Sequence, residues 1–211
     1  MKNSIVSYPI RGPYGSSNYR GNCSGYLIRD ILNYYKPKNF LECFAGSGTG
    51  YDVARELGYS NSIHLDLNHR FGNFNLLTDD LPKGADLVFS HPPYWDIIQY
   101  SGKNNVWGEL PHKDDLSHVS NYEEFIQKLN VINKKIYDSI NFGGRHVILI
   151  GDVRKKGKYY SIIKDMSWYG TLEAHLIKIQ HNTLSRKKHY SSYNFIPIAH
   201  EHLLVFKKTT F

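Results

Sequence analysis

The segment Ala85–Trp95, ADLVFSHPPYW, constrains the fold more than any other stretch of the chain. Its apolar run Leu87–Phe89 has the character of a buried strand, and two prolines followed by two aromatics stop it abruptly. Pro92 and Pro93 lack an N–H and have a fixed φ, so no central ladder continues through them. The carbonyls just before them stay free to accept hydrogen bonds. In an open α/β sheet, ligands bind outside the carboxyl ends of the strands, where this turn would lie. Free acceptors beside the flat rings of Tyr94 and Trp95 suit an amino group on a planar ring, such as a nucleobase amine.

A second strand-and-turn unit lies upstream. Phe40–Cys43 reads as a short strand, FAGSGTG (Phe44–Gly50) as a glycine turn, and Tyr51–Leu57 as a helix. Gly46 and Gly48 let the backbone pass close to a ligand, and the helix presents free N–H groups suited to a carboxylate or phosphate. The next strand, Ser62–Leu65, ends at Asp66, at the spacing where nucleotide folds place the acidic residue that binds a ribose diol. No lysine follows the glycines as in GxxxxGK[ST], which argues against an ATP P-loop. A cofactor carrying adenosine without a phosphate chain fits better.

Residues 1–24, rich in Gly, Ser, Asn and Tyr, read as an extended arm outside the core, and residues 25–211 as one domain without a separate target-recognition block. From Ser24, the residues Tyr26, Leu27, Ile31, Leu32 and Tyr35 share a helical face that Pro37 stops. Phe74–Leu77 reads as a third strand. Asn121 caps a helix with Phe125, Leu129, Ile132, Ile136 and Ile140 on one face, ended by Gly143 and Gly144. A strand at His146–Ile150, a helix at Tyr159–Met166, and antiparallel neighbours at Leu172–Ile179 and Ala199–Phe206 complete the pattern. The alternation predicts an α/β, doubly wound, mostly parallel seven-stranded sheet with one antiparallel strand.

Lys and Arg number 26 against 19 Asp and Glu, a balance that favours polyanionic partners. SRKKHYSSY interleaves Arg186, Lys187 and Lys188 with Tyr190, suiting phosphates and stacked bases, and the loop Tyr100–Ser120 and the arm around Tyr14, Tyr19 and Arg20 are candidates for clamping a substrate. His200 and His202 alternate on one side of a strand, but no Cys or carboxylate cluster joins them at ligand spacing, so no metal is expected. Cys23 and Cys43 are too few for a disulfide scaffold. The N-terminus has no apolar leader and no later run is long enough for a membrane span, so a cytoplasmic protein with no membrane partner is expected.

Taken in order, FLECFAGSGTG, Asp66, LTDDLP, LVFSHPPYW, GGRHVILIGDVR and HEHLLVFKK resemble the S-adenosylmethionine-dependent DNA amino-methyltransferases, in the class whose cofactor motif precedes the catalytic one. YRGNCSGYLIRDIL is similar to the helix before the cofactor motif there, and the resemblance covers almost the whole chain. It implies a Rossmann-like methyltransferase fold and methyl transfer to the exocyclic amine of a flipped DNA base, adenine N6 ahead of cytosine N4. It assigns Glu42, Phe44, Ala45, Gly46, Ser47 and Gly48 to the methionine end of the cofactor. Asp66, with Leu67 beside it, goes to the ribose, and Asp79 or Asp80 to the adenine amine. His91, Pro92, Pro93 and Tyr94 occupy the catalytic Asp/Asn/Ser-Pro-Pro-aromatic motif, with Trp95 next to the base.

His91 departs from that motif. An exocyclic amine is a poor nucleophile, so the site must accept its protons. Neutral imidazole offers one acceptor and imidazolium none. Activity is therefore expected to fall as pH drops through the pKa of His91, unless His91 is only a wall residue. RNA amine methylation, methylation of a protein glutamine amide, and a non-catalytic nucleic-acid-binding subunit are the alternative readings. Target specificity would come from short loops, a partner subunit or a homodimer, or be low.

Overall fold

The structure is a computed structural model that describes residue 1, residues 3–181 and residues 196–209. In chain order the elements are β1 (Ile5–Ser7), α1 (Gly25–Tyr35), β2 (Phe40–Cys43), α2 (Thr49–Glu56), β3 (Ile63–Leu65), β4 (Ala85–Ser90), α3 (Tyr122–Ser139), β5 (Ile140–Ile150), β6 (Val153–Lys155), β7 (Lys158–Tyr160), α4 (Ile162–Asp165), β8 (Thr171–Ile179) and β9 (His200–Lys207). Seven strands form one sheet in the order β1-β8-β9-β5-β4-β2-β3, and β6 and β7 form a separate hairpin. Within the seven-stranded sheet β9 runs antiparallel to both β5 and β8, and the other pairings are parallel.

The central runs Leu87–Phe89 of β4 and Val147–Ile150 of β5 are apolar and buried because both faces of the sheet are covered there. Leu87, Phe89, Val147 and Leu149 point to the side of α1 and α2, while Val88, Ile148 and Ile150 point to the side of α3. On α1, Leu27, Ile28, Ile31 and Leu32 are fully buried, each contributing about 1.5–3 kcal/mol of apolar burial. Lys36 closes that helix in the left-handed conformation just before Pro37. Asn121 caps α3 by accepting the Glu124 N–H at 2.8 Å.

Four expectations change. The N-terminal segment is no arm outside the core: β1 is the sheet's edge strand beside β8, and Val6, Tyr14 and Cys23 are buried. Phe74–Leu77 is not a strand, because Asn75 folds it into a turn, its carbonyl accepting from the Thr78 and Asp79 N–H groups and its side chain from that of Leu77. The seventh strand is thus β1. Ile140 continues the helical spacing of Ile136 but begins β5, paired with Ala85, and Gly143 and Gly144 lie inside that strand beside a register shift instead of ending the helix. Tyr159 and Tyr160 belong to β7, leaving α4 a single turn. Among the described residues no helix is long and apolar enough to cross a membrane.

Candidate active site

One cavity of about 810 Å³, counting its open mouth, lies at the carboxyl ends of β2 and β4. Parallel pairing of Cys43 with Ser90 brings the glycine turn after β2 level with His91 after β4. The two units recognised in the sequence therefore share one cavity. Glu42, Phe44, Ala45, Gly46, Asp66, Leu67, His91 and Pro93 line it.

Asp66 organises the glycine turn. Its Oδ2 accepts the Gly46 N–H at 2.7 Å, and its Oδ1 accepts from the Asn68 backbone and side chain at 2.9 and 2.8 Å. Burial raises its pKa to about 6 against these hydrogen bonds. Gly46 has φ 54°, and a Cβ there would sit 3.2 Å from the Tyr19 ring, so the turn carries a ring on its open face. Glu42, buried behind the turn, pairs with His64 Nδ1 at 2.6 Å. Its pKa is raised by burial, against the hydrogen bond and charge of His64.

The N-terminal segment and the long loop after β4 close over the cavity. Tyr19 and Tyr100 stack at 5.7 Å with 30° between their rings. The Ser16 N–H donates to Ser47 Oγ at 3.1 Å, Ser47 donates to Asn22 at 2.9 Å, and the Gly15 N–H donates to Asp52 at 2.8 Å. Ser47 is thus engaged by this segment, and neither it nor Gly48 lines the cavity. From the loop come Trp107, Asp114, Asp115 and Leu116.

Other sequence-derived candidates fall elsewhere. Asp79 and Asp80 are exposed and outside the cavity, whereas Asn75, which sequence reasoning missed, lines it and donates to Asp114 at 2.8 Å. Trp95 offers no plate to a ligand. It is 4% exposed, its Nε1–H donates to the Val119 carbonyl at 2.8 Å, and its ring packs on Tyr122 and Tyr160. At φ 53° its backbone is left-handed, turning the ring back into the core. Arg186, Lys187, Lys188 and Tyr190 lie outside the described residues.

His91 leads a chain of polar groups that crosses the sheet. Its Nε2 lies 2.9 Å from Tyr94 Oη, which donates to Glu201 Oε1 at 2.6 Å, and Glu201 Oε2 pairs with Lys178. Glu201 on β9 and Lys178 on β8 face each other in register. Tyr94 reaches β9 by passing over the end of β5 at Gly151, where a Cβ would come within 2.6 Å of its ring. Burial lowers the His91 pKa to about 4. His91 keeps partial exposure because it lines the cavity. Its titration is therefore displaced to the acid side of the ordinary histidine range, and His91 is neutral between pH 6 and 8.

No family model and no curated protein sequence matches this chain. Solved structures do, and the fold they share with it is the Rossmann-like methyltransferase fold. TrmN from Thermus thermophilus aligns over 90% of this chain and 50% of its own at 14% identity, with a TM-score of 0.54. The N-methyltransferase NodS from Bradyrhizobium japonicum, in complex with S-adenosyl-L-homocysteine, aligns over 88% of this chain and 85% of its own at 10% identity, with a TM-score of 0.52. TehB from Haemophilus influenzae aligns over 87% and 62% at 12% identity, with a TM-score of 0.51. The chain thus spans half the length of TrmN and less than two thirds of TehB.

Proposed function

We propose that this chain is an S-adenosylmethionine-dependent methyltransferase acting on the exocyclic amine of a DNA base, adenine N6 ahead of cytosine N4. The observation that carries the reading is the single cavity lined on one wall by the glycine turn and Asp66 and on another by His91 and Pro93. The cavity chemistry fits the cofactor. Glu42, Asp66, Asp114 and Asp115 are carboxylate side chains suited to a ligand bearing ammonium and sulfonium charges. The Thr49 hydroxyl, at the start of α2 and on the cavity wall, is buried without a hydrogen-bond partner, leaving a donor for a carboxylate. Asp66 would hold the ribose, and Asn75 and Leu76 would take the adenine-side position expected of Asp79 or Asp80.

The bound cofactor supplies an electrophilic methyl group. This chain's residues would orient the amine by accepting hydrogen bonds from its two N–H groups at His91 and at a carbonyl of the proline segment, drawing the nitrogen toward tetrahedral geometry, and the one proton displaced by the methyl group would pass to solvent. The Tyr19–Tyr100 stack, which lines the cavity, would shield the bound cofactor from solvent on that side.

A nucleic-acid substrate is favoured by the β6–β7 hairpin on the same rim of the sheet. Lys156 and Gly157, both at positive φ, form its tip, where Lys156 and Lys158 are exposed. Its base is rigid: Tyr160 packs on Trp95 and Tyr122, and Lys155 pairs with Asp96 over the Trp95 ring. A two-stranded ribbon with a basic tip has the shape and charge to meet a duplex groove.

Incubation with methyl-labelled cofactor and unmethylated duplex DNA or RNA, read by nucleoside mass spectrometry, tests the reading. N6-methyladenine or N4-methylcytosine in DNA supports it. Label in RNA alone replaces the substrate, and no label in either with no cofactor binding refutes it.

A further inference from the structure

Lys178 and Glu201 are a buried ion pair, 8% and 7% exposed, on the two strands farthest along the sheet from the glycine turn that still reach the site. Buried ion pairs rarely repay their desolvation as stability, since apolar replacements of similar volume are often as stable. This pair also has a specific outlet, because Glu201 accepts the hydroxyl proton of Tyr94, which in turn meets His91.

Proton counting along the chain decides the state of His91. Lys178 has only donors. Glu201 is ionised: burial alone would raise its pKa, but the Lys178 charge and the hydrogen bonds from Lys178 and Tyr94 hold it below the ordinary carboxylate value. An ionised carboxylate can only accept, so Tyr94 spends its single O–H on Glu201. Burial and the Glu201 charge raise the Tyr94 pKa well above 10, so it keeps that proton. Tyr94 Oη can then only accept from His91, and the contact at 2.9 Å requires a proton on Nε2. In a neutral ring this leaves Nδ1 as a lone-pair acceptor, and no described residue bonds to it.

We propose that Lys178 and Glu201 are positioning residues that, through Tyr94, lock His91 in the Nε2–H tautomer, so that Nδ1 is held as the hydrogen-bond acceptor for the substrate amine. The amine role rests on the function proposed above, while the tautomer does not. The device explains how a histidine can replace the acceptor oxygen of the Asp/Asn/Ser motif. An oxygen needs no tautomer control, and a ring nitrogen does, because the other tautomer would aim an N–H donor at an N–H donor.

The inversion is testable with one isosteric change. Glu201→Gln can turn its amide N–H₂ to Tyr94, which then donates to His91 Nε2 and moves the ring proton to Nδ1. The experiment is nitrogen-15 NMR of histidine-labelled protein, with the His91 signals assigned by their absence from His91→Gln, alongside single-turnover methyl transfer. The expected result is Nε2–H in the wild type and Nδ1–H in Glu201→Gln. Turnover should fall about a hundredfold, the scale of losing one preorganised transition-state hydrogen bond, with cofactor affinity within twofold. A wild-type His91 protonated at Nδ1, or a Glu201→Gln variant with unchanged tautomer or turnover, overturns the proposal. If Glu201→Gln does not fold, the wild-type tautomer decides alone. Failure of the methyl-transfer reading would show as no transfer by the wild type, leaving the tautomer readout intact.

Discussion

Gly151→Ala tests the path by which Tyr94 crosses the sheet. The new Cβ would lie 2.6 Å from Cε2 and 2.9 Å from Cδ2 of the Tyr94 ring, well inside contact distance. The ring has two ways out. It can stay and force its surroundings apart, an overpacking cost of about 1–3 kcal/mol. It can instead swing away, losing the 2.6 Å bond to ionised Glu201, worth about 1.5–3 kcal/mol. The cheaper route sets the loss, so Gly151→Ala should be destabilised by about 1–3 kcal/mol, a fall in Tm of roughly 2–12 °C for a chain of this size. Gly151 does not line the cavity, so cofactor affinity should stay within twofold while turnover falls. Chemical denaturation, cofactor titration calorimetry and single-turnover transfer together provide the readout. A variant within 0.5 kcal/mol of wild type and equally active would show that Tyr94 does not need its place over β5, and the reasoning would fail.

The remaining predictions concern charge and packing. Asp66 has its pKa raised to about 6, so cofactor Kd should be flat above pH 7 and rise as pH falls below about 6, a dependence that Asp66→Asn abolishes in calorimetry across pH. Turnover at saturating cofactor should show no histidine limb between pH 6 and 8, since His91 titrates near 4. For the same reason stability should fall as pH drops from about 6.5 toward 4, where the unfolded chain takes up a proton on His91 that the folded chain does not, visible as a difference between wild-type and His91→Gln denaturation curves across that window. Charge reversal at Lys156 and Lys158 should weaken duplex binding and lower its salt slope by about two without changing Tm, as read by fluorescence anisotropy across salt. Trp95→Ala should cost about 3–5 kcal/mol in denaturation, because Trp95 is a core anchor rather than a ligand surface.

The parts of the fold carried by local pattern were legible in the sequence. The α1 and α3 faces, the apolar runs of β4 and β9, and the two turns that follow β2 and β4 are each written in consecutive residues. What was hidden depends on distant partners. The three residues of β1 look like loop because their pairing lies at Ile177–Ile179, and Ile140 looks helical until Ala85 claims it. In the site, the glycine turn and His91 were readable as motifs, but Asn75 carries no motif and joins the cavity only through the turn it makes. Glu201 meets Tyr94 across 107 residues, and only the reversed strand β9 brings it there. HEHLLVFKK reads as an apolar closing strand, with no sign that its second residue meets the turn after β4.

The most direct test of the central claim is single-turnover methyl transfer by the wild type and by His91→Ala at saturating cofactor and neutral pH. The account predicts labelled base amine from the wild type and about a hundredfold or greater loss in the variant, with cofactor affinity unchanged. A His91→Ala enzyme as active as the wild type would contradict it, as would a wild type that binds the cofactor yet transfers no methyl group to any nucleic acid.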